Sequence, residues 1–115
     1  MTMDTGLQEW EVANNMAICN EIIEKISIDK NGCLNIKPKQ YSFDMIYRSA
    51  SGVRWDAQER YLYTIASLMD KSVTIKQMYR QIILAVNDEY GISLNITEET
   101  VFENITNDDI TNILN

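Results

Sequence analysis

The side chains of this sequence that could take part in catalysis are carboxylates, because the chain contains no histidine. The commonest general base and the commonest metal ligand are therefore missing, and serine or cysteine nucleophiles lack their usual partner. Two carboxylates at a suitable distance could still do acid–base work, and Asp44, Asp56 and Glu59 are the candidates. Acids are routine in and beside turns, however. The sequence predicts a protein that is not an enzyme and holds neither a metal ion nor another cofactor.

Arginines are interleaved with aromatic residues in the middle of the chain. Aromatic rings beside guanidinium groups can stack single-stranded bases. The same alternation is typical of a half-solvated sheet with its arginines outward and its aromatics inward. The net charge of −7 also disfavours nucleic acid. Binding of single-stranded nucleic acid or a small ligand is therefore only an alternative for this set, which comprises Arg48, Arg54, Arg60, Tyr47, Trp55, Tyr61 and Tyr63.

Charge is segregated along the chain. Residues 1–36 carry a net charge of −4 and residues 37–80 a net charge of +4, whereas residues 81–115 hold seven acids and no base. A field of one sign steers partners of the opposite sign and raises association rates. The segregation therefore favours a basic protein as the partner.

Most acids of the last third have a local explanation. Two pairs, "EE" and "DD", follow the predicted helix caps Thr97 and Asn107. Acids in a first helical turn are stabilised by the helix dipole, by about 0.3–1 kcal/mol each. These four acids need no functional role.

Asp88 and Glu89 lack that explanation, since they fall in the last turn of a predicted helix, at its negative end. No basic side chain lies three or four residues earlier. We therefore predict partner binding by Asp88, Glu89, Tyr90 and Glu103. A tertiary salt bridge from one of these acids to an arginine of the middle segment is the competing account.

The elements that must position these residues begin with a predicted helix over about 7–26. Val12, Met16, Cys19, Ile23 and Ile26 lie on one face of it. Next, Asn31-Gly32 indicates a two-residue hairpin turn within 27–38, because both positions tolerate positive φ.

An antiparallel meander is predicted over 41–65. Tyr41, Phe43, Met45 and Tyr47 alternate as a strand over 41–48, and two further strands follow at 53–55 and 60–65. Segment 42–51 could instead be a short helix capped by Ser42 and closed by Gly52.

A second long helix is predicted over 75–90, with a capping box at Thr74 and Gln77 and a C-terminal glycine at Gly91. A strand over 92–96 follows. Two short helices should complete the chain, one after Thr97 containing Val101 and Phe102, and one after Asn107.

The predicted fold is a single α+β domain over residues 1–115, with a mainly antiparallel sheet, a long N-terminal helix and a second long helix packed on it. The start of the chain lacks the basic and apolar regions of a secretory signal, and no apolar run is long enough to span a bilayer. We therefore expect a cytoplasmic protein with no membrane contact.

Small size, acidity, the lack of catalytic motifs and the acidic last third resemble small acidic bacterial immunity and inhibitor proteins. The resemblance is one of type, so no residues are carried over. It implies a tight complex in which an acidic face blocks the active site or substrate groove of a basic toxin such as a nuclease. The alternative is a homo-oligomeric structural or interaction module of a mobile element or phage.

Overall fold

The computed structural model describes residues 19–50, 52–65 and 73–115. These residues form six strands and two α-helices. In chain order they are β1 (Cys19–Ile28), β2 (Leu34–Pro38), β3 (Val53–Asp56), β4 (Tyr61–Thr64), α1 (Ile75–Tyr90), β5 (Ile92–Asn95), β6 (Val101–Glu103) and α2 (Asn107–Leu114), with a short 3₁₀ helix at Ile46–Arg48.

In the described part of the chain the sheet is mixed, with the order β3-β4-β2-β1-β5, and β6 also pairs with β1. The β1–β2, β2–β4 and β3–β4 pairs are antiparallel, whereas β5 and β6 both run parallel to β1. The predicted fold class, a mainly antiparallel meander sheet with a long N-terminal helix packed on it, is therefore wrong. The sheet dominates this small mixed α+β domain, and its longest strand covers residues 19–26, which were predicted to be helical.

The error over 7–26 has a physical cause in β1. Residues 7–18 lie outside the described residues, but 19–26 are extended. A β-bulge between Ile23 and Lys25 shifts the register, so that Ile23 and Ile26 are both fully buried although three residues apart. A bulge thus gives a strand the apolar spacing of a helix. Cys19 begins this strand and does not lie in a helix core.

The hairpin predicted within 27–38 is confirmed, but its turn is longer than two residues. The Gly32 N–H donates to the Asp29 carbonyl, and within the turn only Gly32 has a positive φ, of 84°. The Asp29 side chain accepts the N–H groups of Asn31 and Cys33, at 2.9 and 3.0 Å. The result is a three-residue loop closed by a left-handed glycine.

The strand predicted over 41–48 is wrong. Phe43 and Ile46 are both buried three residues apart, while Met45 and Tyr47 are exposed. A 3₁₀ helix at Ile46–Arg48 produces this pattern, so the short-helix alternative was nearer. The strands predicted at 53–55 and 60–65 do form a hairpin, but the neighbour of β4 on its other side is β2.

Helix α1 begins and ends as predicted. Thr74 Oγ1 accepts the Gln77 N–H, and Gln77 Oε1 accepts the Thr74 N–H, which completes a capping box. Gly91 is left-handed, with φ 67°, and its N–H donates to the Asn87 carbonyl. The buried face of α1 packs on the sheet against β2, β3, β4 and β5, and its apolar side chains belong to the same core as those of the strands.

Strand β5 confirms the prediction at 92–96, but the short helix predicted to contain Val101 and Phe102 is a strand, β6. Strands β5 and β6 lie one after the other along the same edge of β1. At the break between them the Thr100 hydroxyl donates to the Ile23 carbonyl at 2.6 Å. Helix α2 is capped by Thr106, one residue before the predicted cap Asn107.

Candidate functional site

The segment between β2 and β3 crosses the carboxyl end of α1 and is held from three sides. From the sheet, the buried Glu21 of β1 reaches it with one carboxylate oxygen. Glu21 Oε2 accepts the N–H groups of Gln40 and Tyr41 at 2.5 and 2.7 Å, and the residue is only 2% exposed. A carboxylate that accepts two backbone N–H groups forms strong, charge-assisted hydrogen bonds.

Arg60 holds the segment from the turn between β3 and β4. Its guanidinium donates to the carbonyls of Gln40 and Tyr41 and to Ser42 Oγ, at 3.0–3.1 Å. The same group lies over the Trp55 ring, 5.7 Å from its centroid. This arginine is therefore committed to internal contacts.

Helix α1 holds the segment from the third side, through its last two residues. Glu89 Oε1 accepts the Ser49 hydroxyl at 2.8 Å, and Glu89 Oε2 lies 3.4 Å from Arg48 Nε. The Tyr90 hydroxyl accepts the Met45 N–H at 2.7 Å. Burial raises the pKa of the Tyr90 phenol, and the carboxylates of Asp44 and Glu89 raise it further.

A cluster of three aromatic rings, one of them from the segment itself, supports it from the core. Phe43 is fully buried and meets the Tyr90 ring edge-to-face, with centroids 5.1 Å apart. On its other side it meets Trp55 at 5.6 Å, again edge-to-face. Such pairs add to the stability that burial provides. The segment is therefore fixed by packing as well as by hydrogen bonds.

This support leaves several large side chains of the segment outward, and Met45 and Tyr47 are the most exposed of its large apolar residues. Met45 is 46% exposed and Tyr47 is 53% exposed, and the Tyr47 hydroxyl lies 3.4 Å from Met45 Sδ. On α1, Leu84 is 65% exposed. Two exposed acids complete this patch, which we call the loop surface; it comprises Asp44, Met45, Tyr47, Leu84 and Asp88.

An open groove of about 340 Å³ runs between the segment and the helix. Ser49 and Ala50 line one side of it, and Leu84 and Asp88 belong to the other. The groove therefore lies between the half-buried Ser49 and Ala50 of the segment and the exposed Leu84 and Asp88 of α1.

A family model described as Integron Cassette Protein Hfx_Cass5 matches residues 21–100. The chain belongs to this family. The match includes every residue of the loop surface and ends before β6 and α2.

A solved structure is also similar, described as "Structure from the mobile metagenome of North West Arm Sewage Outfall: Integron Cassette Protein Hfx_Cass5". Its sequence is 26% identical, and the match covers 81% of this chain and 90% of that one, with a TM-score of 0.40. No curated protein matches the sequence.

In this member of the Hfx_Cass5 family, three of the four predicted partner-binding residues lie together. Asp88 is exposed on the loop surface. Glu89 is only 17% exposed and, with Tyr90, holds the segment in place. The ion pair between Glu89 and Arg48 is the tertiary salt bridge named as the competing account.

Glu103 lies elsewhere. It pairs with Ser27, near one end of β1. Ile92, which lies next to the end of α1, pairs with Cys19 at the other end of the same strand. Eight residues of strand separate these positions along β1, which is roughly 25 Å. Glu103 Oε1 is 3.2 Å from Lys25 Nζ, and both side chains are partly exposed.

Glu21 and Met45 were not among the predicted functional residues, and Tyr47 was considered only for stacking of single-stranded bases. Met45 and Tyr47 were read as the buried face of a strand, and Glu21 as one residue of a helix. The apolar residues Phe43 and Ile46 could have indicated these exposed positions. Their spacing of three fits a helical turn, and in such a turn Met45 and Tyr47 face outward.

The carboxylates considered for catalysis have structural roles or stand exposed. Asp56 Oδ1 accepts the N–H groups of Gln58 and Glu59 in the turn after β3. Within residues 19–50, 52–65 and 73–115, no group of three or more potential metal ligands occurs. Neither helix of these ranges is long and apolar enough to cross a membrane.

Proposed function

We propose that the chain is a cytoplasmic binding protein that engages a basic protein partner, in the manner of an immunity protein, and that it is not an enzyme. The observation that supports this is the loop surface, where Met45 and Tyr47 stand exposed on a segment held from three sides. Tyrosine and methionine are enriched at protein interfaces. A surface already fixed by its own contacts loses little entropy on binding, which favours affinity.

The sign of the partner's charge follows from the charges around the loop surface. Asp44 and Asp88 border its apolar side chains, and the positive charge of Arg48 is matched by Glu89. The net charge of the whole chain, −7, adds attraction at long range. A nuclease-type toxin with a basic substrate groove fits both features, and the complex would occlude that groove.

The four residues predicted from sequence take different roles in this proposal. Asp88 contacts the partner directly. Glu89 and Tyr90 act indirectly, because they position the segment that carries Met45 and Tyr47. Glu103 lies about 25 Å away and adds only to the general field. Centrally placed aromatic anchors should carry more of the binding energy than bordering charges.

The test begins with the product of the neighbouring reading frame in the native cassette array. We expect this product to be toxic when expressed alone and harmless when it is expressed with the chain. Binding of the two purified proteins is then measured by calorimetry. Tyr47→Ala should weaken it at least fivefold, because truncating an aromatic anchor costs over 1 kcal/mol.

Charge is tested separately by association kinetics. Asp88→Lys should slow association, most clearly at low salt, whereas the same change at Asp108 on α2 serves as a matched control and should do so much less. A neighbouring product that is neither toxic nor bound by the chain would contradict the proposal. So would equal effects of the two lysine substitutions.

A homo-oligomeric module of a mobile element is the second candidate, and one observation favours it. Leu84 is 65% exposed beside an open groove, and a second copy of the chain could bury it there. Membership of an integron cassette family supports the mobile-element part of this alternative. Size-exclusion chromatography with light scattering distinguishes the two: a stable homodimer that Leu84→Asp converts to monomer would favour the module.

A further inference from the structure

A second concave site lies on the outer face of the sheet, which points away from α1. Ile26, Ile36 and Leu62 stand side by side across β1, β2 and β4 and are fully buried in the core that α1 shares. Because side chains alternate along a strand, the residues on either side of these three point to the outer face. These outer residues are Lys25, Ser27, Asn35, Lys37, Tyr61 and Tyr63.

Five of these six residues line a hollow of about 180 Å³, together with Glu59 from the turn before β4. Ser27 and Asn35 pair across β1 and β2, and their short side chains form its floor. The longer side chains of the other lining residues stand around them. Sites for drug-sized ligands measure roughly 300–1,000 Å³, so this hollow admits a small ligand or one unit of a larger one.

Asn35 provides a separate sign of a ligand. Its Oδ1 atom is buried and has no hydrogen-bond partner among the described residues. Buried polar atoms nearly always have a partner, so an orphaned one requires an explanation. The amide lies on the face that carries the hollow, and it can turn about χ2, which is broad for asparagine. A hydrogen-bond donor in the hollow would therefore satisfy it.

The charges around the hollow are matched. Lys25 Nζ lies 3.2 Å from Glu103 Oε1, and Lys37 Nζ donates to the carbonyl of the acidic residue Glu59 at 2.7 Å. Burial raises the pKa of the Tyr61 phenol, and nearby acidic side chains raise it further. An anion would therefore meet no excess of positive charge, and it would leave Asn35 Oδ1 without a donor. The hollow favours a neutral ligand.

We propose that this hollow binds one pyranose ring, either a free hexose or the terminal unit of a glycan. A hydroxyl group both donates and accepts hydrogen bonds, so it suits a lining that contains ammonium groups and an orphaned acceptor. One ring hydroxyl donates to Asn35 Oδ1, and a neighbouring one accepts from Lys37 Nζ. The C–H groups of the sugar pack against the ring of Tyr61. The inference is independent of the proposed function, because it concerns another ligand on another surface.

The test is a titration of the isotope-labelled full chain, followed by two-dimensional NMR. The probes are glucose, galactose and mannose, each as the free sugar and as its methyl glycoside. We expect saturable shifts at Ser27, Asn35 and Tyr61 with at least one hexose, with a roughly millimolar dissociation constant, as befits one small ring. Tetrahydropyran-2-methanol, which keeps the ring but lacks the ring hydroxyls, should bind at least tenfold more weakly.

Variants assign the binding to the hollow. Asn35→Val removes the orphaned acceptor and introduces a residue that favours strands. It should weaken binding at least tenfold without lowering the melting temperature, because Asn35 Oδ1 has no hydrogen bond to lose. Tyr61→Leu should weaken binding at least fivefold. Its matched control, Tyr63→Leu, changes the same residue type on the same face of β4 but outside the hollow, and should change binding less than twofold.

Comparison of the two forms of each hexose identifies the source of the ring. Equal affinity for the free sugar and its methyl glycoside indicates the end of a glycan, and affinity at least tenfold higher for the free sugar indicates a small metabolite. Absence of saturable shifts with all of these sugars overturns the proposal. Equal binding of tetrahydropyran-2-methanol, unchanged binding in Asn35→Val, or equal losses in the two tyrosine variants overturns it as well.

Discussion

Glu21 is the single side chain whose replacement should most directly loosen the segment between β2 and β3. Its buried carboxylate accepts two backbone N–H groups, at 2.5 and 2.7 Å. We consider Glu21→Gln, which keeps the shape and one acceptor oxygen but removes the charge. The hydrogen bonds then become neutral ones.

The magnitude follows from these two bonds. A hydrogen bond to a charged group contributes about 1.5–3 kcal/mol and a neutral one about 1 kcal/mol, so two bonds lose about 1–4 kcal/mol together. Removing a buried charge also relieves its desolvation cost, which acts in the opposite direction. We therefore expect a net loss in the lower half of that range, about 1–2 kcal/mol. For a domain of this size that lowers the melting temperature by roughly 4–8 °C.

Two measurements check this expectation. Thermal and urea unfolding give the loss of stability, and hydrogen exchange should show faster exchange at the amides of Gln40 and Tyr41. Glu24→Gln is the matched control, because it removes the same charge from an exposed position of the same strand and should change stability by less than about 0.5 kcal/mol. Equal stability of the two variants, with unchanged exchange at both amides, would refute the assignment of Glu21 as an anchor.

Three further predictions concern stability. Phe43→Ala removes a fully buried ring and its edge-to-face contacts with Trp55 and Tyr90, so the free energy of unfolding in urea should fall by about 3–5 kcal/mol; a loss under 1 kcal/mol would contradict this packing. Thr74→Ala deletes the cap of α1 and should cost about 1 kcal/mol, whereas Thr74→Ser should cost much less. Burial raises the pKa of the Tyr79 phenol above its ordinary value of 10.0, so the unfolded chain loses this proton at a lower pH than the folded chain does. The contribution of Tyr79 to stability should therefore be intact below about pH 10 and be lost as the pH rises through the folded pKa. In Tyr79→Phe the fall between about pH 9 and 11 should be smaller, and an unchanged fall would argue against the burial of this phenol.

The elements predicted correctly are those specified by local chemistry. Helix α1 was readable because its capping box and terminal glycine act within a few residues of the helix itself. The β1–β2 hairpin was readable for the same reason, since Gly32 must adopt a positive φ. The turn between β3 and β4 likewise depends on the side chain of Asp56.

The elements predicted wrongly depend on distant partners. Strand β1 has a helical apolar spacing, and only its pairing with β2, β5 and β6 makes it a strand. Strand β6 is three residues long and exists because β1 offers an edge beside it. No local pattern encodes either pairing, since the tertiary context overrides the local preference.

The candidate site also contains residues that local sequence identifies and residues whose roles depend on distant partners. Asp88 and Glu89 were singled out because they break a local rule at the end of α1. The role of Glu89 depends on Arg48 and Ser49, which approach it only in the folded chain. The exposure of Met45 and Tyr47 likewise follows from anchors, above all Glu21, that lie far away in sequence.

The pairing of β5 and β6 with one edge of β1 has a consequence for synthesis of the protein. The paired residues are 73 to 76 positions apart in the chain. Pairings this distant form slowly, because a long loop must close first. Until residue 103 has left the ribosome, the same edge of β1 can pair with another nascent chain instead. The yield of folded protein therefore depends on how long that edge stays open as well as on the stability of the finished sheet.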